Sequence, residues 1–368
     1  MHLSPALEPY TKEQLNARQA QRLAEFIAFA PAVFQATRLI IKFGILDLIR
    51  DNDGMLTRDG IVKKTGLSDY AVKCLLEASL SIGTTYVDPE TERFSISKTG
   101  WFLLNDNAAK VNMAFSHDVN YLGWYRLEES LLNGKPEGLK TFGDWPTVYQ
   151  GLSQLPDQAK KSWFDFDHFY SDSSFDEAVE IVLRKNNVKS LYDIGGNTGK
   201  WALKCVESDS DVQVTVIDLP AQIEMLKENI KGKNGENRIS GVGIDILDPD
   251  SKIPPREGGL DAIWMSQFLD CFSMEQIVCI LQKAKAAMSP GTRVYIMETV
   301  WDRQRFEPAT FCLTMTSLYF SAIANGNSKM YNTEDLQSCI EKAGLEIEEI
   351  YDNLGQGHSI IKCKQKNI

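Results

Sequence analysis

Basic charge is in short supply in this chain. Lys and Arg number 39 against 50 Asp and Glu, a formal net charge of −11 carried by 368 residues. Nucleic acid and anionic membrane both demand a basic face, so this balance speaks against either as a partner and favours small neutral or cationic ones. Histidine is scarce, with four in all, and the seven cysteines are scattered without a C-x-x-C pair. Neither a disulfide framework nor a zinc site is expected, and no other metal centre is indicated. Long apolar runs are missing too. The segment "FIAFAPAVFQATRLII" is broken by Pro31, Arg38 and Lys42, and "MHLSPALEPYTKEQL" before it lacks the basic-then-apolar order of an export signal. The expectation is a cytoplasmic chain with reduced thiols.

What is present changes character near residue 180. Before that point helical periods dominate: "VFQATRLIIKFGILDLIRD" repeats apolar residues at three and four and stops near "DNDGM". Thr57 and Ser68 are placed to cap two following helices, and two short strands with a polar "DPETER" tip come next. Helix, helix, hairpin is a winged-helix order. Its second helix, "SDYAVKCLLEASLSIG", offers Lys73 as its only basic residue beside Asp69 and Glu77, which suits dimerisation better than phosphate contact.

Beyond residue 180 strands and helices alternate with short connections, from "VKSLYDIG" to "HSIIKCKQ". That alternation predicts an α/β domain with a doubly wound, Rossmann-like sheet. The expected divisions are a winged-helix-like domain over 1–110, a helical linker contributing to a substrate pocket over 111–180, and the sheet domain over 181–368.

In such a sheet a ligand sits where the first strand turns into its helix, and here that turn reads "DIGGNTG". Gly195 and Gly196 let a ligand touch main chain, Gly199 lets the helix pack closely, and Asn197 tolerates positive φ. Such turns also serve purely structural ends. The second signal is Asp218, closing the next strand in "VTVIDLP", where a carboxylate can accept both hydroxyls of a ribose. A pyrophosphate would be repelled by Asp193 at the head of the loop, whereas an ammonium would be welcomed. S-adenosylmethionine, which carries adenosine, an ammonium and a sulfonium but no phosphate, fits these residues better than a dinucleotide.

Taken in order, "LYDIGGNTGKWAL", "VTVIDLP", "GVGIDIL", "GTRVYIMETV" and "CIEKAGLEIEEIY" resemble the class I S-adenosylmethionine-dependent small-molecule O-methyltransferases of the plant phenolic and bacterial polyketide type. The resemblance covers roughly residues 20 to 365. It implies a homodimer joined through an N-terminal winged-helix domain and a small, hydrophobic, aromatic or conjugated hydroxyl or carboxyl acceptor. It implies a cofactor site of Asp193, Gly195, Gly196, Asn197 and Gly199, with Asp218 and Leu219 at the ribose and Asp245 and Ile246 at the adenine. Met265 and Ser266 fall on the next strand edge, and Ser174 falls near the cofactor carboxylate. Phe166, Tyr170 and His168 of "FDHFYSDSS", with Phe268 and Met330, would border the acceptor.

Many relatives carry a His-Asp-Trp triplet whose histidine takes the acceptor's proton. Here Asp270, Cys271 and Phe272 stand at those positions, and the register is held by Ser273 and Gln276, which form an S-x-x-Q capping box. The family's first supporting glutamate falls on Glu298 and its second on Met330. Asp270 and Glu298 are therefore the expected catalytic pair, with Asp270 raised in pKa by its neighbour. Among the histidines, His168 is better placed than His117, His2 or His358 to face the site. Two alternatives stay open: a relative that binds the cofactor without methylating, for hydroxylation or decarboxylation, and a cofactor-sensing regulator.

Overall fold

The computed structural model describes residues 4–366; His2 lies outside them. The chain divides into two compact units, one of Glu13–Asp118, the other of the N-terminal residues up to Lys12 together with everything from Val119 on. The segment expected as a linker therefore continues into the sheet-bearing unit from Val119, and Trp163 within it donates its indole N–H to Tyr319 Oη at 2.7 Å.

In the smaller unit, Asn16 caps the helix Ala17–Ala28 with a full capping box shared with Gln19. The single helical stretch expected up to Asp51 is two helices, Ala30–Lys42 and Ile45–Asp51. Gly44 separates them at φ +70°, the left-handed conformation that ends a helix and that side chains resist. Thr57 and Ser68 cap the helices Arg58–Thr65 and Asp69–Ile82 through Gly60 N–H and Ala71 N–H, as expected. The strands β1 (Thr85–Val87) and β2 (Phe94–Ile96) then pair antiparallel. Ile40, Leu46, Ile49, Ile61, Val72 and Leu76 form the core of this unit.

The larger unit is built on seven strands: β3 (Ser190–Ile194), β4 (Gln213–Asp218), β5 (Ile239–Gly243), β6 (Ala262–Ser266), β7 (Arg293–Glu298), β8 (Leu345–Leu354) and β9 (His358–Gln365). Their order is β5-β4-β3-β6-β7-β9-β8, parallel except for β9, which runs antiparallel to both β7 and β8. Alternate residues serve opposite faces. Leu191, Trp264, Tyr295 and Met297 pack with the helices Lys200–Ser208 and Pro220–Ile230, while Tyr192, Met265, Val294 and Ile296 pack with Met274–Ala286 and Thr333–Lys342. Strand order reverses between β3 and β6, so the carboxyl ends of these two strands open the crevice in which a doubly wound sheet binds ligands.

Candidate functional site

Two loops meet at that crevice. The first, Gly195–Gly199, follows β3. Gly195 sits at φ +76°, and a Cβ there would come within 2.2 Å of the Phe268 ring. At Gly196 a Cβ would lie 2.4 Å from Asp193 Oδ2, so any side chain would close the cradle around that carboxylate. Asn197 holds φ 49°, as its amide side chain permits, and Gly199 caps the helix behind it. Asp218 ties this loop to the end of β4: its Oδ2 accepts Asn197 N–H at 2.8 Å and its Oδ1 accepts Leu219 N–H at 2.7 Å. Each oxygen keeps a second lone pair for a ribose hydroxyl.

Asp193 pairs in register with Trp264, whose ring stacks on Trp201 with centroids 4.4 Å apart. The residue is 2 % exposed, and its Oδ2 has no hydrogen-bond partner among the described residues. Burial, then the charge of Asp218, pushes its carboxyl up to about 8. A buried acceptor left alone costs free energy, and an ammonium is the group that would satisfy it. The residues present thus fit S-adenosylmethionine.

Asp245 is exposed, with Oδ1 bonded to Leu247 N–H at 2.9 Å, while Ile246 is buried in the core. Lys283 holds their loop by donating to Ile246 O at 2.9 Å, Ser251 Oγ at 2.8 Å and Asp248 O. Met265 is buried and Ser266 half-buried at the end of β6. Ser174, expected near the cofactor carboxylate, is fully buried and bound to His358 Nδ1 at 2.8 Å, where the last hairpin turns back. Burial holds that imidazole down at about 4, so it is neutral.

The second loop, Gln267–Phe272, leaves β6. Gln267 holds φ 45°, and Phe268 swings over Gly195 and onto Phe272, with ring centroids 4.8 Å apart. Glu298, at the end of β7, fixes the loop: its Oε1 accepts Phe268 N–H at 3.1 Å and Leu269 N–H at 2.8 Å. Its Oε2 has no hydrogen-bond partner among the described residues. Asp270 is 7 % exposed and accepts the Cys271 thiol on Oδ1 at 3.4 Å. Burial, and then the charge of Asp167, pushes Asp270 up to about 7. Glu298 is raised well above the carboxylate range by burial and by Asp270. The Cys271 thiol is likewise pushed up, so it stays protonated and remains a donor. Met330 is buried and accepts Thr299 Oγ1–H on its sulfur at 3.4 Å, where a second glutamate would have faced the pair.

Sequence reasoning missed Asp167. On the helix Asp157–Ser171 it shares a face with Trp163 and Tyr170, four residues before it and three after. That spacing was the available signal. Phe166 and Tyr170 are half-buried with ring centroids 5.0 Å apart. His168, expected at the acceptor, is one position further round the helix, exposed and packed on Phe164.

Comparison with known proteins accords with this geometry. Residues 21–94 match the Dimerisation2-like domain, and residues 124–346 match the O-methyltransferase domain. The chain belongs to the O-methyltransferase family. Acetylserotonin O-methyltransferase 1 of Oryza sativa subsp. japonica is 30% identical over 310 residues, 78% of this chain and 79% of that one. An L-tyrosine C(3)-methyltransferase of Streptomyces lavendulae is 22% identical over 327 residues, 88% and 86% of the two chains. The O-methyltransferase NcsB1 from neocarzinostatin biosynthesis, solved with S-adenosylmethionine and 2-hydroxy-5-methyl naphthoic acid, shares the fold at a TM-score of 0.60 and 18% identity, covering 91% of this chain and 96% of its own. Like the family, this O-methyltransferase uses S-adenosylmethionine.

The ribose contact is testable on its own. Asp218→Ala removes a charge-assisted contact and should cost cofactor affinity about 1.5–3 kcal/mol by calorimetry. Equal binding to both proteins would place the ribose elsewhere.

Proposed function

We propose that the protein transfers a methyl group from S-adenosylmethionine to an oxygen of a small aromatic or conjugated acceptor, and that Asp270 receives the acceptor's proton. The observation that carries this reading is Asp270 itself: a buried carboxyl poised at about 7, on the loop whose Phe268 covers the glycine turn. A base works best with a pKa near the working pH. The cofactor, when bound, supplies an electrophilic methyl group on a sulfonium. The chain's residues would supply alignment: Asp193 would hold the ammonium, Asp218 the ribose, and the Asp245–Ile246 loop the adenine. Glu298 keeps the Asp270 loop in place, and the protonated Cys271 thiol stabilises the ionised form of Asp270. Methyl transfer would give a methyl ether and S-adenosylhomocysteine, with the acceptor's proton left on Asp270. Incubation with methyl-labelled cofactor and a panel of phenols, read by mass spectrometry, tests the reaction; no labelled product from any phenol would reject it. NMR of the product separates an ether from methylation at ring carbon, the second outcome raised by the C(3)-methylating relative.

The working form is a homodimer in the cytoplasm. The helix Ala17–Ala28 buries none of its residues, and Leu23, Phe26, Ile27 and Phe29 are 41–64% exposed in a region matching a domain named for dimerisation. Light scattering should give twice 41.4 kDa, and Phe26→Asp with Ile27→Asp should shift it towards one. A wild type that weighs as a monomer at every concentration would remove this idea. The Asp69–Ile82 helix, whose Lys73 lies 4.0 Å from Glu77, offers little basic charge for DNA. No single helix among the described residues is long and apolar enough to cross a membrane.

A further inference from the structure

The loop after β5 carries Asp245 and Ile246 but contains neither helix nor strand. Its beginning is tied to β4, where Ile244 N–H donates to Asp218 O at 2.7 Å. Further on, a side chain from another element holds it. Lys283 donates to Ile246 O at 2.9 Å, to Ser251 Oγ at 2.8 Å and to Asp248 O. An ammonium has three protons, and these contacts use all of them. None of the acceptors is a carboxylate, so this ammonium serves to shape a turn rather than to neutralise a charge. Its platform is stiff, because Lys283 stands on the helix Met274–Ala286 between the buried Ile280 and Ala284.

What the turn presents is an oriented carboxylate. Lys283 grips the carbonyls of the residues on either side of Leu247, and Leu247 N–H donates to Asp245 Oδ1 at 2.9 Å. Asp248 N–H returns to Asp245 O at 3.2 Å and closes the turn. The contacts thus run from the helix through the turn to Asp245, and they leave Asp245 Oδ2 for a ligand. A carboxylate accepts hydrogen bonds and cannot donate them, so it suits an exocyclic amine and disfavours a carbonyl at the same place. Adenine carries that amine, and hypoxanthine carries a carbonyl instead.

Resting on the placement of adenine at this loop given above, we propose that Lys283 is a positioning residue that gives the protein its selectivity for the 6-amino group of the cofactor's purine. It touches no ligand itself and acts through the turn on Asp245. Arginine at 283 would keep several donors on a long stem, whereas methionine would keep the apolar stem and supply none.

The test measures by calorimetry the binding of S-adenosylhomocysteine and S-inosylhomocysteine, which differ at the 6-position of the purine. The wild type should bind the adenosyl compound about tenfold more tightly or better. Lys283→Met should bring the ratio to within about threefold, chiefly by weakening the adenosyl compound, and Lys283→Arg should restore much of it. Loss of packing alone would weaken both ligands together and leave the ratio where it was. Hydrogen exchange reads the turn without any ligand: amides of residues 245–251 should exchange faster in Lys283→Met than in the wild type, while those of residues 195–199 should not change. If Lys283→Met does not fold, Lys283→Gln, whose amide cannot serve three acceptors, is read in its place by the same criteria. A binding ratio that the variant leaves unmoved, or unchanged exchange over residues 245–251, overturns the proposal while adenine stays at this loop. A wild type that binds the two compounds equally removes adenine from the loop and the proposal with it, and methyl transfer is untouched by either result.

Discussion

Asp193→Asn is expected to raise the melting temperature of the ligand-free protein at neutral and alkaline pH while weakening S-adenosylmethionine roughly a hundredfold or more. Both effects have one cause. Asp193 is buried, its Oδ2 is unpartnered among the described residues, and its carboxyl is pushed up to about 8 by burial and by Asp218. An unfolded aspartate titrates near ~4, so the folded value lies above the unfolded one. Asp193's contribution to stability is thus complete below about pH 4 and is lost as pH rises towards about 8, at roughly 1.4 kcal/mol per pH unit within that window. Asparagine carries no charge at any pH and escapes this loss. The cofactor reverses the balance, because its ammonium favours the ionised carboxylate. Removing one partner of a buried charge pair costs about 2–5 kcal/mol, and each 1.4 kcal/mol is about tenfold in affinity. Binding at pH 7 should therefore expel up to about one proton from Asp193, visible by calorimetry in buffers of different ionisation enthalpy. The asparagine variant should expel none from this position. Identical proton release by both proteins, or undiminished affinity in the variant, would mean that the ammonium is held elsewhere.

This region was the part of the molecule most legible in the sequence, for physical reasons. The sheet announces itself because buried parallel strands are short apolar runs, and each is punctuated by a loop whose glycine or carboxylate is needed within a few residues. The S-x-x-Q box at Ser273 is likewise local, and both its reciprocal bonds are present. What the sequence hid depends on geometry across elements. Residues 167 and 168 differ by one letter in position but by about 100° around a helix of 3.6 residues per turn. Side-chain chemistry pointed to His168, while it is the charge of Asp167 that is felt at Asp270. The helix Glu307–Tyr319, with the irregular turn Phe320–Ala324 after it, was not anticipated at all. Its apolar residues do not gather on one stripe, so no helical period stands out. The Gly44 break was hidden for the opposite reason: the apolar period continues across it, and only the backbone angle shows that the chain has turned.

Asp270 tests how far a residue's role can be inferred from its position when its chemistry has changed. The expectation from sequence was that burial beside Glu298 would raise its pKa; burial does come first, the charge of Asp167 adds to it, and Asp270 in turn raises Glu298. A base must be deprotonated to act, so kcat/KM for a weakly acidic phenol should climb with pH and level off above about 7. Asp270→Asn should abolish that rise and lower the rate by about 10²–10⁴-fold, the range general-base catalysis commonly supplies. An acceptor already ionised at the assay pH needs no base and should lose far less. Asp270→His should recover ordinary phenols only in part, because Met330 sits where a second glutamate would have oriented the ring, and its sulfur is engaged by Thr299. The measurement is a pH–rate profile of the wild type and both variants on phenols matched in size and differing in acidity. If all three proteins give superimposable profiles across the series, Asp270 moves no proton and its burial serves the loop alone.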